Sequence, residues 1–103
     1  MILYNVTVSI DPSIKEEWIT YMRSTHIPDV MATGCFIESR FSKLHAEDES
    51  EETYAISYVA KNIEQLDIYQ KEHAKGLQED HSSRFVGKFG AFRSILSIIE
   101  EFK

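Results

Sequence analysis

The chain has 103 residues, a formal net charge of −6 and a hydrophobic content of 43%. This length predicts one domain, residues 1–103, and the apolar content excludes wholesale disorder. The negative charge opposes a general surface for nucleic acid or for an anionic membrane, because both partners are themselves negative.

Cysteine usage and the absence of long apolar runs indicate a cellular location. Cys35 is the only cysteine, so a disulfide within the chain is excluded. The first residues lack the basic and apolar regions of a signal peptide, and no apolar run approaches the roughly 20 residues that cross a bilayer. We therefore expect a cytoplasmic protein without a membrane partner.

The first third of the chain predicts a strand followed by a helix. Residues 2–10 alternate between apolar and polar, which is typical of a half-buried strand. Asp11 and Pro12 then mark a helix start, because Asp accepts from free amides and Pro needs no donor in the first helical turn. Pro28 is expected to bend or break the helix, and Gly34 to end it. The apolar stripe of this helix is Ile14, Trp18, Tyr21, Met22 and Thr25.

The middle of the chain predicts two strands joined by an acidic hairpin. Residues 35–45 and 53–60 alternate as strands, and the run from Glu47 to Glu52 between them is predicted to be the hairpin tip. Glu38 and Arg40 share one face of the first of these strands. They can form an interface ion pair or line the interior, where Arg40 could neutralise a carboxylate ligand.

The last part of the chain predicts a helix and a final strand. Asn62 with Gln65 resembles a capping box, which starts the second helix. Gly76 can interrupt this helix. A further helical piece is expected to run to about residue 86, with Phe85 turned inward and His81 exposed. Residues 91–100 form the predicted fourth strand, which is apolar on both faces. The stripe of the second helix is Leu66, Tyr69, His73 and Leu77.

This order of elements predicts an α+β fold, a ferredoxin-like β-α-β-β-α-β sandwich with an antiparallel four-stranded sheet. The helices would cover one face of the sheet. The other face also carries apolar groups, which a monomer would expose. Pairing two sheets face to face would bury them, so a homodimer, a dimeric α/β barrel, is expected unless another protein covers this face.

Several stretches of the chain resemble the dimeric α/β-barrel superfamily. They run from Tyr4 to Val8, from Trp18 to Val30, over Thr33 and Gly34, and from Phe85 to Leu96. The chain is identified by them as similar to a bacterial domain-of-unknown-function family of about this length. That resemblance implies the fold and brings no activity with it.

A shorter pattern also resembles known enzymes of this superfamily. The aromatic residue Tyr21 is followed five positions later by His26, and Pro28 lies two positions after His26. This spacing looks like the ethyl-tert-butyl-ether-degradation type of barrel and like some small monooxygenases and isomerases. Haem-degrading and antibiotic-oxidising barrels use an Asn on strand one, a Trp on a later strand and a His on the second helix. Asn5 and His73 fit this set, but Trp18 lies on the first helix, so cofactor-free oxygenation is discounted.

The residues point to a ligand site between the helices and the sheet. The predicted ligand-binding residues are Trp18, Tyr21, Met22, His26 and His73. Trp18 and Tyr21 could equally be core, and either histidine could be a satisfied structural side chain. His26 is the candidate catalytic residue, since an imidazole can act as general acid or base near neutral pH.

Other ligand classes find little support. Four scattered histidines without a Cys/His cluster predict no metal, and no cofactor is expected. The segment from Gly87 to Phe92 looks like an RNA-recognition signature, but that signature belongs on a third strand and in a basic domain. The favoured hypothesis is a homodimer that binds a small apolar or aromatic metabolite without a complete catalytic set. The alternative is a small isomerase-like or monooxygenase-like barrel enzyme that uses His26.

Overall fold

The computed structural model of the protein describes residues 1–45 and 52–103. The four strands are β1 (Ile2–Ile10), β2 (Glu38–Lys43), β3 (Glu52–Ala60) and β4 (Phe89–Ser97). The four α-helices are α1 (Lys15–Tyr21), α2 (Ile27–Ala32), α3 (Ile63–Glu72) and α4 (Ala74–Arg84). A 3₁₀ turn, Pro12–Ile14, precedes α1, and a π-helical turn, Met22–His26, joins α1 to α2.

The strands form one sheet in the order β2-β3-β1-β4, and all neighbours are antiparallel. With helices between β1 and β2 and between β3 and β4, this is the ferredoxin-like sandwich. The predicted fold class is therefore confirmed. β1 pairs along its whole length with β3 on one side and with β4 on the other. Its first residue, Ile2, pairs with Ala60 and with Ser97.

Side-chain alternation along the central strands divides the sheet into two faces. The even-numbered residues of β1 and β3 point toward the helices and form most of the core floor. Tyr54, Ile56, Tyr58 and Ala60 are all buried, as the alternation predicts. The opposite face is open in this chain. On that face Phe92 is 63% exposed and Leu96 is 48% exposed.

The first helical region continues past Pro28 by way of a π-helical turn and is not broken there. Pro28 lies in the first turn of α2, and the turn before it is π-helical, with the Ile27 amide donating to the Met22 carbonyl. Since proline offers no amide and its ring crowds the carbonyl four residues earlier, the wider turn lets the chain continue as a helix. His26 is the last residue of this turn.

The second helical region is broken, but not at Gly76, where an interruption is predicted and which lies inside α4. The predicted stripe still faces the core, since Leu66 and Tyr69 are buried and Leu77 packs against the core. The break lies at His73, whose backbone angles are φ −124° and ψ −37°. Asn62 caps the start of α3 as predicted, with its side-chain oxygen 3.0 Å from the Gln65 amide.

Within α4, His81 follows buried Ala74 by seven residues and Leu77 by four, so all three lie on the inward face of this helix. His81 is consequently buried, with 8% of its surface exposed, and not exposed as predicted.

Two strands, β2 (Glu38–Lys43) and β4, differ from the prediction at both ends. β2 starts at Glu38, because Cys35 and Phe36 are both buried in the core and consecutive burial breaks the strand alternation. β4 runs over Phe89–Ser97, so it begins and ends earlier than predicted.

Glu52 belongs to β3 and not to a hairpin tip. Its carboxylate accepts a hydrogen bond from the Tyr54 hydroxyl at 2.8 Å and pairs with Lys15 and Lys43 at 3.4 and 3.3 Å. The rest of the predicted acidic tip, Glu47 to Glu51, lies outside the described residues.

Candidate functional site

A cavity of about 50 Å³ lies between the helices and the helix-facing side of the sheet. Its floor is mostly apolar and comes from the three strands β1, β3 and β4. Its other walls carry a small set of polar groups from the helices and from β4. The floor residues include Val6, Val8, Ile56 and Phe89. The polar groups include His26, Gln78, His81, Ser82 and Arg93.

His81 is held by a hydrogen bond in the core. Trp18 is fully buried, and its indole Nε1 donates to His81 Nε2 at 2.9 Å. A nitrogen that accepts carries no proton, so this imidazole is neutral with its proton on Nδ1. Burial, reinforced by the nearby His26 and Arg93, lowers the pKa of His81 to about 4. The ring also packs edge-on against Phe89, at 4.6 Å between centroids.

His26 faces His81 across the cavity. The two imidazole centroids are 5.5 Å apart and nearly perpendicular, at 62°. His26 Nδ1 is buried and has no hydrogen-bond partner within the described part of the chain. Burial lowers the pKa of His26, although Asp80 and Asp29 oppose that shift. The cavity therefore holds two histidines that both favour the neutral form.

A polar network on α4 lies behind the histidines. The Tyr21 hydroxyl donates to Asp80 Oδ2 at 2.8 Å, and Arg84 Nε lies 3.7 Å from Asp80 Oδ1. The Arg84 guanidinium is also 4.7 Å from the centre of the Tyr21 ring. Burial and the bond to Asp80 raise the pKa of Tyr21 to about 12. Tyr21 is thus a donor that braces α1 against α4.

Tyrosines form a further wall of the cavity. Tyr4, Tyr58 and Tyr69 line it and pack on one another, with Tyr4 5.9 Å from Tyr69 between ring centroids. Burial is the main cause that raises the pKa of both Tyr58 and Tyr69, so their hydroxyls stay protonated at neutral pH. Phe36 stacks against Tyr4 at 6.1 Å and closes this end of the core.

The structure gathers only part of the predicted ligand-binding set at the cavity. Met22 and His26 line it. Trp18 and Tyr21 lie behind the wall, where they hold His81 and Asp80 by hydrogen bonds. His73 lies at the break between α3 and α4, half-buried and 6.4 Å from Tyr69 between ring centroids. The histidine opposite His26 is His81, for which the sequence predicts an exposed position.

The residues that resemble those of the oxygenating barrels, Asn5 and His73, do not lie together in one site. Asn5 pairs with Ser57 and Ser94 on the open face, and its amide donates to Thr7 at 3.1 Å. His73 lies on the helical side. Within residues 1–45 and 52–103, no three His, Cys, Asp or Glu side chains are grouped to hold a metal ion. In the same ranges, no helix is long and apolar enough to cross a membrane.

Fold and cavity together define a ferredoxin-like domain with a pocket between helices and sheet. The chain belongs to the family described as Domain of unknown function (DUF4286), whose model matches residues 1–99. This confirms the resemblance drawn from the sequence. No protein of curated function matches the chain.

Solved structures with this fold include proteins of several kinds. A dimeric ferredoxin-like protein from an uncultured marine organism is 16% identical with a TM-score of 0.67, and the match covers 100% of this chain and 99% of that one. An ethyl tert-butyl ether family protein from Bacillus halodurans is 11% identical with a TM-score of 0.64, covering 99% and 100%. SnoaB, a cofactor-independent oxygenase from Streptomyces nogalater, is 6% identical with a TM-score of 0.64, covering 97% and 95%. At these identities the likeness establishes the fold.

Proposed function

We propose that this chain is one protomer of a homodimer that binds a small apolar or aromatic metabolite in the cavity between helices and sheet, without a complete catalytic set. The observation that carries the proposal is the pairing of an apolar floor with few polar groups, foremost His26 and His81. Ligand pockets typically have this composition, in which apolar walls give affinity and a few polar atoms fix orientation.

The dimer half of the proposal is supported by the open face of the sheet. Phe92 and Leu96 lie there, opposite Thr7 and Leu3 of β1. Large apolar side chains exposed on the same face of a sheet favour burial against a second surface. The fold neighbour named as a dimeric ferredoxin-like protein supports a second copy of this chain as that surface.

Native mass spectrometry tests both halves on one sample. The expected result is a dimer that carries a non-covalent adduct, which is lost when the same sample is denatured. The mass difference then identifies the size of the bound molecule. A clean monomer would contradict the dimer. A clean dimer that also takes up no small molecule from a metabolite extract would contradict the ligand half.

One observation favours a second candidate, a small enzyme that uses His26 as general acid or base. His26 is half-buried at the cavity, and its Nδ1 has no hydrogen-bond partner among the residues that the structure describes. Its pKa is lowered, so a neutral base is available at physiological pH. An NMR titration of His26 tests this idea. The catalytic candidate is excluded if His26 has the pKa of an ordinary exposed imidazole and the variant His26→Ala loses no turnover. That result would not affect the binding proposal.

A further inference from the structure

We propose that the metabolite is a short-chain carboxylate whose charged group binds Arg93 and whose carbon chain contacts the floor of the cavity. This inference rests on the proposed function, which assigns a ligand to the cavity, and it narrows that ligand to an acid with a short apolar chain, in place of an aromatic compound. Neither the family nor the fold neighbours specify such a group. It follows from the charges and the space around the cavity.

Arg93 is the cationic group that lines the cavity, and the residue is also exposed to solvent. It lies on β4 directly opposite Val6 of β1, so both residues are on the helix-facing side of the sheet. In the described part of the chain, no carboxylate lies within 4.0 Å of its guanidinium. The planar guanidinium presents donors in a fork that matches the two oxygens of a carboxylate.

Two carboxylates, Asp80 and Asp29, act on His26, but neither is among the residues that line the cavity. Asp80 has one oxygen on the Tyr21 hydroxyl and the other near Arg84, and Asp29 is exposed on α2. His81 is neutral because its Nε2 accepts from Trp18. Arg93 is therefore the charged side chain that lines the cavity itself, and this favours an anionic ligand over a neutral or cationic one.

The size of the cavity limits the ligand. Its volume is about 50 Å³. A dry engineered cavity that holds benzene measures about 150 Å³, whereas one water needs only about 10–15 Å³. The space thus suits a carboxylate with one or a few carbons on the floor formed by Val6, Val8 and Ile56. An aromatic acid would require wall side chains to move.

Matched pairs of acids and amides test the inference on the full chain. Acetate, propionate and benzoate are titrated into ¹⁵N-labelled protein at pH 7, and each is compared with acetamide, propionamide or benzamide. Trp18 is the only tryptophan, so its single indole N–H signal reports on the His81 wall of the cavity. We expect propionate to bind about tenfold or more tightly than propionamide, because hydrogen bonds to a charged group are the stronger kind. We also expect propionate to bind more tightly than benzoate.

Two arginine variants and a control complete the test. Arg93→Gln should abolish the preference for the acid, and Arg93→Lys should keep part of it. Arg23→Gln removes an exposed arginine outside the cavity and should leave all affinities unchanged. If Arg93→Gln does not fold, the comparison of acid with amide in the wild type still tests whether the cavity prefers a carboxylate.

The outcomes separate the two proposals. Equal binding of acids and amides at the cavity would overturn the carboxylate inference and leave a binding pocket. An acid preference that survives Arg93→Gln would overturn the role of Arg93. No binding by any of the six probes would overturn the inference and would count against the pocket itself.

Discussion

Trp18 and His81 show how two residues far apart in sequence depend on each other. A buried indole N–H without an acceptor is costly, because water no longer bonds to it. His81 supplies that acceptor across 63 positions of sequence. The same bond fixes which nitrogen of His81 carries the proton, and so fixes the chemical character of one wall of the cavity.

Removing the acceptor should destabilise the fold. His81→Leu leaves the Trp18 N–H buried and unpaired, which we expect to lower the free energy of unfolding by about 1–3 kcal/mol. His81→Gln is the matched control, since its amide oxygen can accept and should recover part of the loss. Urea denaturation measures each variant. In the double variant Trp18→Phe/His81→Leu, the loss should be smaller than the sum of the single losses. A strictly additive double variant would contradict the coupling.

Acid should weaken the fold through the same residue. Unfolded His81 takes up a proton near its ordinary pKa of 6.5, whereas in the folded chain its pKa is about 4. Between these values the unfolded state binds more protons, so the free energy of unfolding falls as pH falls from 6.5 toward 4. His26, whose pKa is also lowered, acts in the same direction. The slope for one such group is at most about 1.4 kcal/mol per pH unit.

Urea denaturation between pH 7 and pH 5 measures this effect before most carboxylates titrate. His81→Gln has no titrating group at this position, and its stability should change less with pH than that of the wild type. An unchanged slope in the variant would show that His81 does not govern acid sensitivity in this range.

At the scale of elements, local sequence signals predicted where helices start better than they predicted where a helix is interrupted. Asp11 accepts from the Ser13 amide at 2.9 Å and Asn62 from the Gln65 amide, so both caps were readable from residue types alone. The break at His73 was not readable, since neither proline nor glycine occupies that position, and the interruption predicted at Gly76 falls inside α4.

The burial of His81 was readable, because this residue follows Leu77 of the predicted stripe by four positions. The prediction that His81 is exposed was therefore an error, and half of the histidine pair was missed with it.

The cavity was predictable only in outline. Alternation in β1 and the stripe through Met22 placed a site between helices and sheet. The partner of Trp18 comes from α4, and the cationic group comes from β4, so both depend on how distant elements pack. A buried tryptophan does require an acceptor, and this signal could have directed attention to the histidines.

The cap of α3 gives a prediction at this scale. Asn62→Ala removes the acceptor for the Gln65 amide and should lower the free energy of unfolding by about 1 kcal/mol. Asn62→Asp keeps an acceptor and should retain most of the stability. Thermal or urea unfolding measures both variants. A loss of equal size in Asn62→Asp would show that the side-chain oxygen is not the stabilising group.

At the scale of the whole molecule, the open sheet face decides the proposed assembly. Phe92→Asp places a charge on that face, where burial against a second copy would be unfavourable. We expect dimerisation to weaken by more than about tenfold, because an unpaired buried charge is costly. Light scattering during gel filtration measures the change.

A matched apolar position separates a specific effect from added charge. Val86 is 76% exposed in the turn that follows α4, away from the sheet. Val86→Asp should remain dimeric. A fully dimeric Phe92→Asp variant would show that the two copies meet elsewhere.

The position of β1 between β3 and β4 has a consequence for how the chain folds during synthesis. One edge of β1 pairs with residues 52–60, and the other edge pairs with residues 89–97. Contacts between such distant segments carry a loop-closure cost and slow folding. As the ribosome releases the chain, β1 emerges first and keeps an unpaired edge until the last strand arrives. Nascent chains that end before residue 89 therefore expose that edge to other chains and are the species most prone to aggregate.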